Sequence, residues 1–238
     1  PNDPGHTVFA QYITSDNCGY CYQYGSPAHD QAKTSLPDRY VYISYHSLSF
    51  GNTADAESGN IAPIYGVQHL GESGGAPKTS FGDATLNTGC GSNTCWDSYI
   101  SSGGNMHSTS ADYSVSVSQT DNGDGTVDVS VSASYVGSGT APSSITLYAA
   151  VTEKVCNSHT YADGSKGHNC WEAWLLNNGA YAHNGGNVGS GNGFETVNLN
   201  SGQAVKTWTV PTNLVNGGAS NMNTCLLYTS DAADEEDS

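Results

Sequence analysis

Basic residues are scarce in this chain: six Lys and Arg stand against 22 Asp and Glu, a formal charge of −16 over 238 residues. The long-range field is repulsive towards nucleic acid and anionic membranes, which excludes both as electrostatic partners and favours a cationic partner or a salty medium. Charge of any sign is sparse, at 12% of residues. Gly, Ser, Asn, Thr and Tyr fill the space instead, a balance that favours strands and turns with polar rather than ionic surfaces, as in secreted β-rich proteins. No run approaches the roughly 20 apolar residues of a transmembrane helix. The chain starts at Pro1, with no N-terminal Met, basic n-region or apolar h-region, and so reads as mature, trimmed or fragmentary. Asn is frequent, yet no Asn-x-Ser/Thr sequon occurs. That disfavours a eukaryotic secreted glycoprotein and points to a prokaryotic cell envelope.

The length accommodates two domains of roughly 110 residues, each able to bury its own core. One segment stands apart from both. From Cys225, Cys-Leu-Leu-Tyr-Thr-Ser-Asp-Ala-Ala-Asp resembles the one-frame translation of a transposase-type sequencing adapter. Residues 225–238 are therefore expected to be a foreign tail on a truncated metagenomic gene, the alternative being an ordinary acidic disordered tail. Without its five acids (Asp231, Asp234, Glu235, Glu236, Asp237) the charge is −11, and without Cys225 the seven cysteines become six.

Those six fall in close pairs: Cys18 with Cys21, Cys90 with Cys95, Cys156 with Cys170. Six cysteines allow 15 connectivities, so spacing alone does not prove the pairing. Three local disulfides in an oxidising compartment need the least long-range coincidence. Zinc is the competing reading, but a structural site wants two converging CxxC-like hooks and only one pair has that spacing. No metal and no cofactor is expected.

Residues 7–14 and 39–46 read as strands, with Val41, Ile43 and Tyr45 alternating in the second. Between them Tyr24, Ala28, Ala32 and Leu36 recur every four residues as one stripe of a helix, which Pro37 ends. This is a βαβ unit with Cys18-Gly19-Tyr20-Cys21 at the turn from strand to helix, where Asp16 or Asn17 is available to cap. Unpaired N–H groups in the first helical turn stabilise a thiolate. Gly25 and Pro27 predict a kink just after the dithiol. A poorly patterned stretch, 52–70, has helical character near Ala62–Tyr65. Gly74-Gly75-Ala76-Pro77 then leads into a short strand, 78–81, with a proline able to adopt a cis bond. Trp96, Tyr99 and Ile100 mark a helix face after the Asn93/Thr94 cap, stopped by Gly103-Gly104.

From residue 112 the period changes to two. Tyr113, Val115 and Val117, then Val127, Val129, Val131 and Ala133, flank the turn Asp121-Asn-Gly-Asp-Gly125. Further strands at 144–152, 171–176, 194–199 and 203–210 argue a β-sandwich. Asp121–Asp128 lacks calcium-loop spacing, so turn chemistry explains it better. His159, His168 and His183 lie near the Cys156–Cys170 loop, where solvated histidines are the usual outcome. Trp171 and Trp174, three apart in a strand, should face opposite sides.

Strand, Cys18-Gly-Tyr-Cys21, helix, a strand ending in His46, then Tyr65-Gly66-Val67 and Gly75-Ala76-Pro77 resemble the thioredoxin-like half of the twenty-eight-kilodalton outer membrane protein family. Ser144–Glu153 and Phe194–Val210 resemble the β-sandwich that follows it there. The resemblance implies an α/β thioredoxin-like domain over 1–108 and an all-β immunoglobulin-like sandwich over 109–224. By the thioredoxin pattern, Cys18 is the nucleophile, Cys21 the resolving thiol and Pro77 the cis-proline that faces the dithiol and binds substrate backbone, with Gly19, Tyr20 and Ala76 binding substrate. Cys90 with Cys95 and Cys156 with Cys170, each pair within one loop, are expected as structural disulfides. The Gly-Tyr dipeptide is similar to that of periplasmic disulfide isomerases. Thioredoxins carry a buried acid where Tyr12 stands here, so efficient reductase turnover is not expected; His46 is a substitute proton acceptor or a structural histidine. Two functions follow: an extracytoplasmic, secreted or envelope-associated thiol-disulfide oxidoreductase or isomerase with protein thiols or disulfides as partners, or a non-catalytic surface binding or adhesion protein stiffened by three disulfides.

Overall fold

The structure, a computed structural model, describes residues 7–47, 76–81, 89–92, 94–96, 111–157, 159–175, 181–183 and 195–229. The helix expected near 62–65, the Tyr65-Gly66-Val67 segment, Gly74-Gly75, the helix face of Tyr99 and Ile100 and its glycine stop lie outside them. The fold is mixed α/β, mostly sheet with few helices.

Strand β1 (Val8–Ser15) is buried on both faces along nearly its whole length, as a strand inside a covered sheet must be. It pairs in parallel with β2 (Tyr40–Ser47) and antiparallel with β3 (Lys78–Phe81). Parallel neighbours need a crossover. Here it is a π-helical turn, Cys21–Gly25, followed by helix α1 (Ser26–Ser35). The expected kink is thus a change of helical register. Ser26 N–H reaches back to Cys21 O, and Pro27, which has no N–H to donate, enters at the first turn of α1. Neither Asp16 nor Asn17 caps this helix. Asn17 Oδ1 accepts from Ser15 Oγ at 2.9 Å, and the Asp16 carboxylate is engaged by two histidines.

The same sheet continues through the second half of the chain. Ser44 of β2 pairs in parallel with Cys170 of β7 (His168–Leu175), giving the order β11–β6–β7–β2–β1–β3, with β6 (Ser144–Val155) and β11 (Met222–Thr229) beyond β7. Short strands β8 (Tyr181–His183) and β9 (Glu195–Asn198) add to β7 and β6. A second sheet, β10–β5–β4, holds β4 (Tyr113–Asp121), β5 (Thr126–Tyr135) and β10 (Gln203–Pro211). In β5 burial alternates residue by residue, so Val127, Val129, Val131 and Ala133 face the first sheet. With Ile145, Leu147, Val151, Leu175 and Trp208 they form the core between the layers. The Asp121–Gly125 turn closes by Asx chemistry: Gly123 N–H donates to Asp121 Oδ1 at 2.9 Å and Thr126 N–H to Asp124 Oδ1 at 3.0 Å.

One expectation is corrected. Trp171 and Trp174 do not face opposite sides; both are buried, with ring centroids 6.0 Å apart. Thr152 pairs with Trp171 and Val151 with Ala173, so Glu172 is an extra residue in a β-bulge, and one inserted residue returns position 174 to the face of position 171. The segment expected to be a foreign tail takes part in the first sheet at its start. Cys225 to Thr229 pair with Ala150 to Thr146, and Cys225 is buried beneath β2 and β6, its Sγ 3.7 Å from Tyr42 O. Burial pushes its thiol pKa up to about 11.

Candidate functional site: a dithiol under a loop of the second half

Cys18 directly precedes the first helical residue, and it is bonded to Cys21. The turn is tied by Cys18 N–H to Ser15 O and Cys21 N–H to Cys18 O, both at 3.0 Å. Opposite it the Ala76–Pro77 peptide is cis, and Cys18 Sγ lies 3.3 Å from Ala76 O. In the disulfide this sulfur has no proton to share. After reduction the thiol can donate to that carbonyl, an interaction that favours the protonated form and opposes the helix terminus, which favours the thiolate. Gly25 is what lets the proline approach. A Cβ at Gly25 would stand 2.6 Å from Tyr12 Oη and 3.1 Å from Pro77 Cβ.

Tyr12, in the place of the acid, is fully buried, and its hydroxyl donates to Cys21 O at 3.3 Å. Burial drives its pKa well above 10, so it is no proton acceptor for a resolving thiol. Next to it, His29 sits inside an aromatic cage of Tyr12, Tyr42 and Trp96. Its Nδ1 meets Tyr40 Oη at 2.5 Å and its Nε2 meets Thr79 Oγ1 at 3.0 Å. Burial lowers the His29 pKa to about 3, against the opposing charge of Asp30.

A segment of the second half covers the dithiol. The β6–β7 connection, bridged by Cys156–Cys170, brings Tyr161 against Cys18 and Cys21. Tyr161 Oη shares a 2.8 Å hydrogen bond with Thr14 Oγ1, and Ala162 N–H donates to Asp16 O at 2.8 Å. Cys18 is consequently only 5% exposed and Cys21 not at all, whereas Tyr20 beside them is 61% exposed. Cys18 is the more exposed of the two, though only slightly, because Tyr161 packs against both. The cover comes from a residue 143 positions away. Cys90 and Cys95 are joined in a separate loop beside the Trp96 cluster.

The histidines near the second loop separate. His168 Nδ1 meets Asp30 Oδ2 at 2.8 Å, which raises the His168 pKa. The side chain of His183 lies outside the described residues. His159 joins His46 and Asp16: His46 Nδ1 is 3.0 Å from Asp16 Oδ1, and His159 Nδ1 is 3.3 Å from the same carboxylate. Burial alone would raise the Asp16 pKa, but the His46 hydrogen bond and the two histidine charges hold it below the usual carboxylate range. No local motif announces this trio, whose members stand 30 and 113 residues apart.

The backbone is similar to one solved structure. HBP35 of Porphyromonas gingivalis matches it with a TM-score of 0.67 and 15% sequence identity, over 94% of this chain and 69% of that chain. At such identity the likeness shows the fold alone. No protein-family model and no curated protein matches the sequence.

Proposed function

We propose that the chain is an extracytoplasmic thiol-disulfide oxidoreductase or isomerase working through Cys18 and Cys21. The observation that carries this is the Cys18–Cys21 disulfide at the junction of strand and helix, with Cys18 Sγ 3.3 Å from the carbonyl that precedes cis-Pro77. A substrate thiolate attacks Cys18 Sγ, and the Cys18–Cys21 bond breaks with its electron pair leaving on Cys21, which takes up a proton. A second substrate thiolate then attacks the substrate sulfur of the mixed disulfide and releases Cys18 as thiolate. Two electrons have moved from substrate dithiol to protein disulfide; in isomerisation the same attacks return them and no net transfer occurs. Ala76, with Gly19 and Tyr20, would bind the substrate backbone, and the 61% exposure of Tyr20 suits that role.

The second reading is a non-catalytic surface binding or adhesion protein, and one observation favours it: Tyr161 closes the dithiol from solvent. A single experiment separates the two. Under the redox reading Cys21→Ser traps mixed disulfides on Cys18 and Cys18→Ser abolishes them. Iodoacetamide titration of the reduced protein should give Cys18 a pKa below the free-thiol value of about 8.5. A value at or above it, with no trapped adduct, leaves the structural reading.

We further propose membership of the twenty-eight-kilodalton outer membrane protein family, with residues 1–108 and 109–224 as its two units and an immunoglobulin-like character for the second. The buried core between the second sheet and the second-half strands of the shared sheet supports that character; protein thiols or disulfides in the cell envelope are the partners the redox reading implies.

A further inference from the structure

We propose that Asp16, His46 and His159 form a binding site for one divalent transition-metal ion of the zinc type, bound through Asp16 Oδ and the Nδ1 atoms of both histidines. The site stands apart from the dithiol chemistry proposed above and does not depend on it.

The three donors lie within 4.8 Å of one another. In a tetrahedral zinc site, bonds of 2.0–2.2 Å place neighbouring donors about 3.3 Å apart. The separations of 3.0 and 3.3 Å between the carboxylate and the two Nδ1 atoms are close to that length. An ion entering here replaces hydrogens shared with Asp16. Both neutral rings then carry their proton on Nε2. Two imidazoles and one carboxylate are a borderline-soft set that suits zinc, cobalt or iron rather than calcium or magnesium. The acidic chain as a whole favours a cation.

The surroundings pre-position the donors. His46 and His159 are buried with ring centroids 4.9 Å apart, and only Asp16, at 18% exposed, faces solvent and leaves a fourth position for water. The His46 ring fits closely over Gly167, where a Cβ would stand 2.5 Å from its Nε2. His159 rides on a tightened loop: Lys166 Nζ donates to His159 O and Asn157 O at 3.2 Å each, and Tyr161 N–H to Ser165 O at 2.9 Å. Cys156 and Cys170 also approach His46, but their sulfurs are spent in a disulfide and offer no thiolate. Because Asp16 and His46 belong to the first half and His159 to the loop over the dithiol, the ion would staple that loop in place.

The test uses the full chain without a histidine tag. Titration with Zn²⁺ by calorimetry should give one site per chain, and Co²⁺ should give the intense visible bands of a four-coordinate ion that Zn²⁺ then erases. His159→Gln and Asp16→Asn should each weaken binding at least about tenfold, and His168→Gln should leave it unchanged. On the wild type alone, imidazole ¹⁵N spectra should show two of the eight histidines coordinated at Nδ1. No stoichiometric binding, binding unaltered in both ligand variants, or coordination only at other histidines would each overturn the proposal and leave the trio a hydrogen-bonded cluster.

Discussion

Replacing His29 by Gln should remove a large part of the acid sensitivity of this fold. In the folded chain His29 stays neutral down to about pH 3, because its cage excludes water, whereas in the unfolded chain it titrates near 6.5. Between these values the unfolded state binds the extra proton, so stability falls as pH falls, by about 1.4 kcal/mol per unit once well below 6.5. From pH 6.5 to 4.5 the integrated loss is about 2 kcal/mol. Two described groups with shifted pKa values, His168 and Asp16, leave this window clear. His168 has a raised folded pKa, so its contribution is complete below about 6.5 and is lost only as pH rises through the folded value. Asp16 has a lowered one, so its contribution is complete above about 3.8 and is lost only below that. Glutamine retains a donor and an acceptor for Tyr40 and Thr79 but binds no proton. Urea unfolding followed by tryptophan fluorescence at pH 6.5, 5.5 and 4.5 measures the slopes. The wild type should lose about 2 kcal/mol more than the variant across the range, and equal slopes would refute the burial argument.

Gly25→Ala should cost about 1–3 kcal/mol, because its Cβ meets Tyr12 Oη and Pro77 Cβ, and chemical denaturation would read that loss; an unchanged midpoint would contradict the close packing. Tyr161→Ala should speed reduction of Cys18–Cys21 by a phosphine reductant severalfold while leaving Cys90–Cys95 untouched, as read by quenched alkylation and peptide mapping; equal rates would show that Tyr161 is not the cover. Ending the chain after Thr229 should leave thermal unfolding nearly unchanged, whereas ending it after Thr224 removes five paired residues of β11 and buried Cys225 and should lower the midpoint by several degrees. Equal midpoints for the two truncations would return the whole segment to the status of a tail.

What was legible in the sequence was local. The alternation of Val127 to Ala133 marks a strand buried on one face, and the apolar run of β1 one buried on both, because burial imposes period two or none over a few residues. The cysteine pairs are close in sequence, and the Asp/Asn/Gly turn carries its own hydrogen bonds. What escaped depends on distant register. The bulge at Glu172 leaves no mark in composition, yet it decides that both tryptophans turn to one face of the sheet. The pairing of Ser44 with Cys170 joins the halves in one sheet through residues 126 positions apart. Asp16 was legible only as a cap, since no pattern within reach of it contains His46 or His159.

That long-range pairing gives the Cys156–Cys170 disulfide a consequence beyond its own loop. Closing a loop of this length removes about 3 kcal/mol of chain entropy from the unfolded state, and it fixes both ends of the segment that carries His159 and Tyr161. Cys170 is also the residue through which β7 pairs with β2, one strand from the dithiol strand β1. The cover over Cys18 is therefore anchored to the sheet that holds Cys18, and opening it breaks the Tyr161–Thr14 and Ala162–Asp16 hydrogen bonds while the loop ends stay fixed. A segment held at both ends and released in the middle would expose the dithiol without breaking the Ser44–Cys170 pairing that joins the two halves.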